Sequence, residues 1–529
     1  MVDTVESAAA AHPRHGHARR VLTWLPAVAL LLLALSLRLH GLAAKPLWLD
    51  EIATLHRATM TVHDLILSSL QARHYPSYFL LMWLVAKFGT SAWVLRLPSA
   101  IFGALDAALV YGIGCEIEGP VAGLAAGLLL ALSPFAVQYS QEARSYTLVA
   151  SLILVALWGL VCLARDPAAA AARWHWRRMP LPWLAYIAGT AAALNVLNVA
   201  VPWWIAANLA ALAIAHGMRD DRAGCKRFLR HWATAQAVIF LLWLPALVAV
   251  SLVDKAGMLH GEGWAPPETP ETIWSIVAPV YLDRITAFIT FDVLPAKIPA
   301  VSFLIAAAAL YGAWRLRRQP IVLAVIGAAA CVLPLVLLLI ALVTPILVPR
   351  YFAWSAAPFC VLAGLGLAQL AAQRWAPVLG AIAAVCLVNL APYYQDETKP
   401  RWDLAAQALA GESRPGDVVL VNDWNAYQLI AAFAGPSGLA AQGITLTSDA
   451  VDAARFAPGH NLWVVYGRAG QGPMPKPADY LARLAPLGQP ASEQDIGQYI
   501  VIWRFATSDA LAACAAASGC PAERALATP

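Results

Sequence analysis

Two adjacent carboxylates, Asp50 and Glu51, follow the first long apolar run of the chain, which extends from Val21 to Gly41. They close a Pro-Leu-Trp-Leu-Asp-Glu segment that begins at Pro46. Charges next to hydrocarbon are costly, so such a pair needs a counter-ion, a metal ion or a chemical role. A carboxylate there could act as a general base toward a hydroxyl or an amine. A solvated turn with two ordinary acids would explain the same position.

The composition places these acids in a membrane protein. The chain has 529 residues, of which 60% are hydrophobic and 13% are charged, whereas a soluble domain carries about 25% charged residues. Mean hydropathy is +0.63, and apolar runs of about 20 residues recur, which is typical of polytopic helical membrane proteins. The net charge of +5 is small, and we expect no nucleic-acid partner. The eight cysteines include no C-x-x-C pair, so no zinc or redox motif is expected.

The basic residues predict the topology, because Arg and Lys concentrate on the cytoplasmic side of membrane proteins. The tail 1–20 is then cytoplasmic, and the first apolar run is an uncleaved anchor, since Leu42-Ala43-Ala44 is a poor cleavage site. The basic clusters that must share this side fall at 14–20, 165–178, 219–230, 315–318 and, weakly, 374.

This assignment predicts a polytopic α-helical membrane protein with about eleven transmembrane helices. The apolar stretch 75–88 is too short to span, and spanning would put the cluster at 165–178 on the wrong side, so we interpret it as an interfacial or re-entrant helix. The predicted spans lie near 21–41, 94–114, 119–138, 144–164, 181–198, 199–217, 231–252, 299–315, 320–343, 351–371 and 375–392.

The domain organisation follows from the change of composition near Pro392. A transmembrane domain at 21–391 contains the long outer loop 42–93, and a small extracytoplasmic α/β domain occupies 392–507. The Ala-rich end, 508–529, is expected to be disordered. Within the α/β domain we predict strands at 416–421, 461–467 and 498–505, and helices at 424–434 and 478–484.

Five further motifs follow the acidic pair in order. They are the RHYPSYF segment at 73–79, LRLPSA at 95–100, SPF at 133–135, YSQEARSY at 139–146 and PRYF at 349–352. Together these motifs resemble membrane glycosyltransferases of the GT-C type, in the branch that contains protein O-mannosyltransferases and the lipid A aminoarabinose transferase (glycosyltransferase family 39-like). The resemblance covers roughly residues 20–390 and is strongest at 46–150.

The resemblance implies a polyprenyl-phosphate sugar as donor, a lipid bilayer as environment, and an acid of the first outer loop as catalytic base. Asp50 matches the position of that acid and Glu51 its neighbour. His74 departs from the family, in which Lys- or His-Pro-Pro-Leu-Tyr is frequent and a lysine meets the phosphate in the aminoarabinose branch. This departure puts phosphate binding at position 74 in doubt and argues against aminoarabinose as the sugar.

Arg144 and Arg350 lie at predicted outer ends of helices, where a donor phosphate would sit. Arginine suits phosphate because its planar fork donates two hydrogen bonds. Arg144 could instead anchor a lipid headgroup, and Arg96 is interpreted as a membrane-interface residue. We assign Arg144 and Arg350 to donor-phosphate or substrate binding, together with His74, Tyr78, Glu142 and Tyr351.

Three of these assignments have structural alternatives. Asp50 could cap a helix over Glu51–Thr59, and Glu142 could simply pair with Arg144 or Arg96. Asp50 and Glu51 could also hold a divalent cation, Mg²⁺ or Mn²⁺, although no ligand spacing such as H-E-x-x-H occurs. No cofactor is otherwise expected.

We therefore predict a hexosyl- or pentosyltransferase that moves a sugar from a polyprenyl-phosphate donor to an envelope acceptor, which is a lipid, a glycan or a protein. It would lie in a bacterial inner (plasma) membrane, with its C-terminal domain periplasmic or extracellular. The alternatives are a lipid-linked sugar transporter or flippase, which should carry charges at mid-membrane where Asp106 is the clearest acid, and a non-catalytic envelope-assembly scaffold. Convergence of Asp50, Arg144 and Arg350 would favour the enzyme.

Cys514 and Cys520 are predicted to form a disulfide, because both fall in the oxidising outer compartment and close a short loop. Peptide mass mapping of protein isolated without reductant should find the two cysteines linked. Two free thiols under those conditions would show that the tail carries unpaired cysteines.

Overall fold

The computed structural model describes residues 15–173, 178–253, 268–287, 292–371, 374–435, 438–448, 459–469 and 476–506. The predicted disulfide and the tail 508–529 lie outside these residues. The first part of the chain is helical, with a cluster of short helices between the first two long ones. The helices are α1 (His15–Leu39), α2 (Leu49–Thr59), α3 (Val62–Gln71), α4 (Pro76–Val85), α5 (Ala92–Glu118), α6 (Pro120–Leu132), α7 (Pro134–Ser140), α8 (Tyr146–Arg165) and α9 (Pro167–Ala170).

The middle of the chain is also helical. A 3₁₀ turn, Pro349–Ser355, leads directly into α16 and packs against α8 and α7. Proline recurs in the first helical turn, where its missing N–H would have no partner in any case. The helices are α10 (Leu181–Val196), α11 (Val201–Gly217), α12 (Arg222–Leu252), α13 (Pro270–Tyr281), α14 (Ala300–Leu316), α15 (Pro320–Ala341), α16 (Ala356–Ala371) and α17 (Trp375–Gln395).

In the part of the chain that the structure describes, seven helical segments are long and apolar enough to cross a membrane, or eight if α6 and α7 form one bent span. The bend of 59° between α6 and α7 falls at Ser133-Pro134, as expected where proline interrupts the backbone ladder. Leu25–Leu39, α10 and α14 are shorter apolar helices at predicted spans. The multi-pass helical architecture agrees with the sequence analysis, and the total of about eleven spans remains a prediction.

Three of the helices that carry or adjoin the motifs, α5, α6 and α16, pack closely together. A Cβ atom at Gly123 of α6 would lie 2.4 Å from the Tyr111 carbonyl oxygen of α5, and one at Gly364 of α16 would lie 2.4 Å from the Ala126 backbone nitrogen of α6. Only glycine allows these approaches, which are typical of membrane helix interfaces. The packing holds α5, α6 and α16 together as one unit.

The C-terminal segment contains a five-stranded mixed sheet with the order β2-β1-β3-β5-β4. Strand β1 pairs in parallel with β2 and β3, whereas β5 pairs antiparallel with β3 and β4. The elements are α18 (Trp402–Glu412), β1 (Val418–Val421), α19 (Trp424–Ala434), β2 (Thr445–Thr447), β3 (Asn461–Gly467), α20 (Pro477–Arg483), β4 (Ser492–Ile496) and β5 (Ile500–Ala506).

Strands β1, β3 and β5 lie where the sequence predicts them, because alternate side chains bury on both faces of the sheet. One face packs on α18 and α19 and the other on α20. The sequence pattern predicts neither strand β2 nor strand β4. Strand β2 has three residues, and β4 reads Ser-Glu-Gln-Asp-Ile with four exposed positions, so neither has the apolar pattern of a strand.

The C-terminal segment packs directly on the helix that carries the acidic pair. Leu49 and Ile52 of α2 lie against the apolar core formed by α18, α19 and the sheet. Helix α2 is therefore fixed from two sides, by the transmembrane helices and by the C-terminal segment.

Candidate active site

Helix α2 begins at the acidic pair. Trp48 is the N-cap residue, and its backbone N–H donates to Glu51 Oε2 at 3.3 Å, as the glutamate of a capping box does. Asp50 therefore lies inside the first turn and is not the cap that the sequence analysis considers. Carboxylates in the first turn interact favourably with the helix dipole.

Glu51 lies in a buried ion pair with Arg96. Arg96 Nε and Nη2 donate to the two carboxylate oxygens at 2.7 Å each, and the Ala143 N–H donates to Oε1 at 2.8 Å. Lys399 Nζ lies 3.2 Å from Oε2. Arg96 also donates to three backbone carbonyl oxygens just before α2, those of Leu42, Lys45 and Pro46, each at 2.9 Å.

The interpretation of Arg96 as a membrane-interface residue is wrong. Its side chain is 1% exposed, and it neutralises a carboxylate that has no exposed surface. Burial by itself would raise the pKa of Glu51, but the charges of Arg96 and Lys399 and the hydrogen bonds outweigh burial and lower this pKa to about 2. Glu51 is thus ionised at any physiological pH.

Asp50 points the other way, toward Arg144. Its side chain is 28% exposed, and Asp50 Oδ2 lies 3.7 Å from Arg144 Nη2. Arg144 Nη1 donates to the Asp50 carbonyl oxygen at 3.4 Å, and the Ser99 hydroxyl donates to the Arg144 carbonyl oxygen at 3.1 Å. Burial would lower the pKa of Arg144, but Asp50 and Tyr146 raise it above its usual value. A partly exposed carboxylate thus lies beside a buried, permanently charged guanidinium.

Arg350 completes this group from the 3₁₀ turn before α16. Its guanidinium lies 5.6 Å from the ring centres of Trp48 and Tyr351, and its side chain is 7% exposed. It lies within electrostatic reach of Asp50 and of Tyr146. Asp50, Arg144 and Arg350, which are far apart in sequence, therefore lie in one region of the structure.

His74 and Tyr78 line the same region. His74 lies near Asp50, Arg144 and Arg57, and burial together with the two arginines lowers the pKa of His74 to about 4. The imidazole is therefore neutral at physiological pH and brings no positive charge. Tyr78 is buried within electrostatic reach of Arg144.

Glu142 is fully buried on the Glu51 side of the turn between α7 and α8. Its partner is neither Arg144 nor Arg96: its Oε1 lies 3.8 Å from Lys399 Nζ, and neither carboxylate oxygen accepts a hydrogen bond from the described residues. Burial raises the pKa of Glu142 to about 8; Lys399 opposes this rise and the charge of Glu51 adds to it.

Two site residues, Lys399 and Arg57, escape the sequence analysis. Lys399 is the first basic residue after the last predicted span, and a cation on the predicted outer side breaks the charge rule in the same way as Arg350 does. Arg57 follows Asp50 by seven residues, two turns of α2, and so shares its helix face. Both clues were present in the sequence.

The arrangement does not fit the divalent-cation site considered from the sequence. Both oxygens of Glu51 accept from N–H donors, and Asp50 faces a guanidinium. The described residues also hold no cluster of three or more His, Cys, Asp or Glu side chains that could bind a metal.

The fold is that of the GT-C membrane glycosyltransferases, which confirms the resemblance seen in the motifs. The chain is similar to ArnT from Cupriavidus metallidurans in the apo state, with a TM-score of 0.56, 14% identity, and coverage of 92% of this chain and 98% of that chain. For ArnT bound to undecaprenyl phosphate the TM-score is 0.54 with 13% identity and the same coverage.

A third similar structure is the archaeal oligosaccharyltransferase AglB from Archaeoglobus fulgidus in complex with an inhibitory peptide and a dolichol-phosphate. Its TM-score is 0.50 with 12% identity, covering 85% of this chain and 70% of that chain. The sequence matches no protein-family model, and no curated protein is significantly similar to it. At these identities the similarity establishes the fold.

Glu51→Gln should destabilise the protein, because it leaves Arg96 and Lys399 buried without their counter-charge. Breaking a buried ion pair costs about 3–5 kcal/mol. The native pKa of Glu51 is lowered, so its stabilisation is present above the unfolded-state pKa and is lost only as the pH falls toward 2. Thermal unfolding in detergent at neutral pH measures the loss.

Glu116→Gln is the matched control, because Glu116 pairs with Arg165 at 3.8 Å with both side chains about 40% exposed. An exposed pair contributes about 0–1 kcal/mol. Equal unfolding temperatures for the two variants would contradict a central role for the buried pair.

Proposed function

We propose that this protein is a glycosyltransferase that takes a sugar from a polyprenyl-phosphate donor on the outer face of the membrane. The observation that carries the proposal is the convergence of Asp50, Arg144 and Arg350 in a GT-C fold. The undecaprenyl phosphate bound by ArnT and the dolichol-phosphate bound by AglB support a lipid phosphate as leaving group.

In this proposal Asp50 is the general base. It accepts the proton of the acceptor hydroxyl or amine while the acceptor atom bonds to the anomeric carbon of the sugar. The bond between that carbon and the phosphate oxygen breaks, and its electron pair leaves on the polyprenyl phosphate. Arg144 and Arg350 stabilise the charge that develops on this oxygen, which is most effective in a buried site.

We assign different roles to the remaining predicted residues. Glu51 is a positioning residue, because its pKa of about 2 and its hydrogen bonds leave it a poor proton acceptor. Glu142 lies near Glu51 and does not bind the donor. Tyr78 and Tyr351 line the phosphate site beside the arginines, and His74 contributes a neutral imidazole.

The proposal includes a location. With the basic clusters inside, the acidic loop and the α/β domain 392–507 lie outside a bacterial inner membrane, and the N-terminal tail lies in the cytoplasm. The sugar is a hexose or a pentose, and the acceptor is a lipid, a glycan or a protein of the envelope.

A flippase gains less support. The buried charges inside the helical region, Arg38 and Asp106, are satisfied by neighbouring groups: Arg38 donates to Ser140 Oγ and to backbone carbonyl oxygens, and Asp106 accepts from Ser151. Charges that are hydrogen-bonded inside the helix packing do not form a transport path, which needs charges that face a passage.

Asp50→Asn should abolish transfer and leave folding intact, because the amide cannot accept the acceptor's proton. Loss of a general base should lower the rate roughly 10²- to 10⁴-fold. Transfer from a panel of radiolabelled polyprenyl-phosphate sugars to membrane extract measures the effect. Asp64→Asn, at an exposed position in the first turn of α3, should retain activity. Normal turnover in Asp50→Asn would eliminate Asp50 as the base.

Arg350→Lys should weaken donor binding, because lysine keeps the charge and loses the two-pronged hydrogen-bond geometry. Arg350→Ala should weaken it further, by about 1.5–3 kcal/mol for a charged hydrogen bond. Affinity for the donor lipid in detergent, together with the unfolding temperature of each variant, checks both expectations. Unchanged affinity in a stable Arg350→Ala protein would show that Arg350 does not bind the donor phosphate and would favour a role in anchoring a lipid headgroup.

A further inference from the structure

Arg57 is a buried arginine that the transfer mechanism above does not use. Its residue is 9% exposed, and its guanidinium lies 5.0 Å from the ring centre of Phe79. Nη1 donates to the Ala53 carbonyl oxygen at 3.2 Å, whereas the buried Nε–H donates to no acceptor among the described residues. A buried donor that lacks an acceptor is costly, so this N–H points to a missing anion.

The surroundings of Arg57 carry surplus positive charge. Arg144 lies near enough that burial and its like charge lower the pKa of Arg57, and Asp50 only partly opposes them. The same two arginines help to keep His74 neutral. Arg350 also lies within electrostatic reach of Asp50, so three guanidinium groups lie near one carboxylate. A second anion at this position would offset the surplus positive charge.

We propose that Arg57 is a third ligand of the donor's phosphate group, together with Arg144 and Arg350 and on the same helix face as the base. This inference rests on the proposed function and deepens it: the phosphate site is a three-arginine cradle, and α2 supplies both the base and a phosphate ligand. Arg57 provides the positive charge that position 74 lacks, because the His74 imidazole is neutral. The ligand class is a phosphate ester with at least one ionised oxygen.

The test compares two lipids that differ only in the phosphate, undecaprenyl phosphate and undecaprenol, bound to the full-length protein in detergent. Arg57→Met keeps the side-chain volume against Phe79 and removes the charge. We expect it to weaken undecaprenyl phosphate binding about 10- to 100-fold, as for a charged hydrogen bond, and to leave undecaprenol binding unchanged. Arg57→Lys should fall between wild type and Arg57→Met.

Two further variants sharpen the result. Arg73→Gln, at an exposed arginine beside His74, should bind both lipids as the wild type does. Arg57→Met combined with His74→Lys should recover much of the lost affinity, because it restores a cation beside Arg144. Rescue by a residue elsewhere in the chain would not follow from a purely structural role of Arg57.

The outcomes separate this inference from the proposed function. If the wild type binds the two lipids equally, the polyprenyl-phosphate donor is wrong and the inference falls with it. If the wild type prefers the phosphate and Arg57→Met keeps that preference, only the inference is overturned. Equal losses for both lipids in Arg57→Met would mean that Arg57 supports packing. If Arg57→Met raises the KM for the acceptor and leaves donor affinity unchanged, the anion that Arg57 binds belongs to the acceptor and not to the donor.

Discussion

The buried ion pair between Glu51 and Arg96 is the constraint on which the rest of the site depends. Four segments meet at the Glu51 carboxylate: the start of α2 at Trp48, helix α5, the turn at Ala143, and the segment between α17 and α18 that carries Lys399. A buried charge is tolerated only when its partners and hydrogen bonds are in place. Forming this pair therefore also fixes the positions of Asp50, which adjoins Glu51, and of Arg144, which follows Ala143.

The site divides its charges into two adjacent environments. On one side, the cations of Arg96 and Lys399 meet Glu51, and Glu142 has a raised pKa of about 8. Because burial and the charge of Glu51 raise this pKa, a second buried negative charge beside Glu51 is disfavoured. On the other side, arginines outnumber the single carboxylate. The chain thus keeps an anion-poor region next to a satisfied ion pair, which is the polarity that a phosphate leaving group requires.

The C-terminal segment contributes to the site physically. It packs against Leu49 and Ile52 of α2, and the chain leading into it carries Lys399 to Glu51 and Glu142. Removing apolar side chains from water is favourable and non-directional, whereas the ion pair is directional. Together they hold the first turn of α2 in one orientation, so the sheet-containing segment is part of the framework around Asp50.

The sequence by itself determined the membrane class, most of the long helices, the main strands and the candidate residues Asp50, Arg144 and Arg350, because hydropathy, charge asymmetry and local motifs are properties of contiguous residues. Only the tertiary structure decided which charges meet. Arg96 and Lys399 became the partners of Glu51, Lys399 also lies beside Glu142, and Arg57 lies near Arg144. These pairings span up to 348 residues, and their selection depends on desolvation and hydrogen-bond geometry, which no local pattern records.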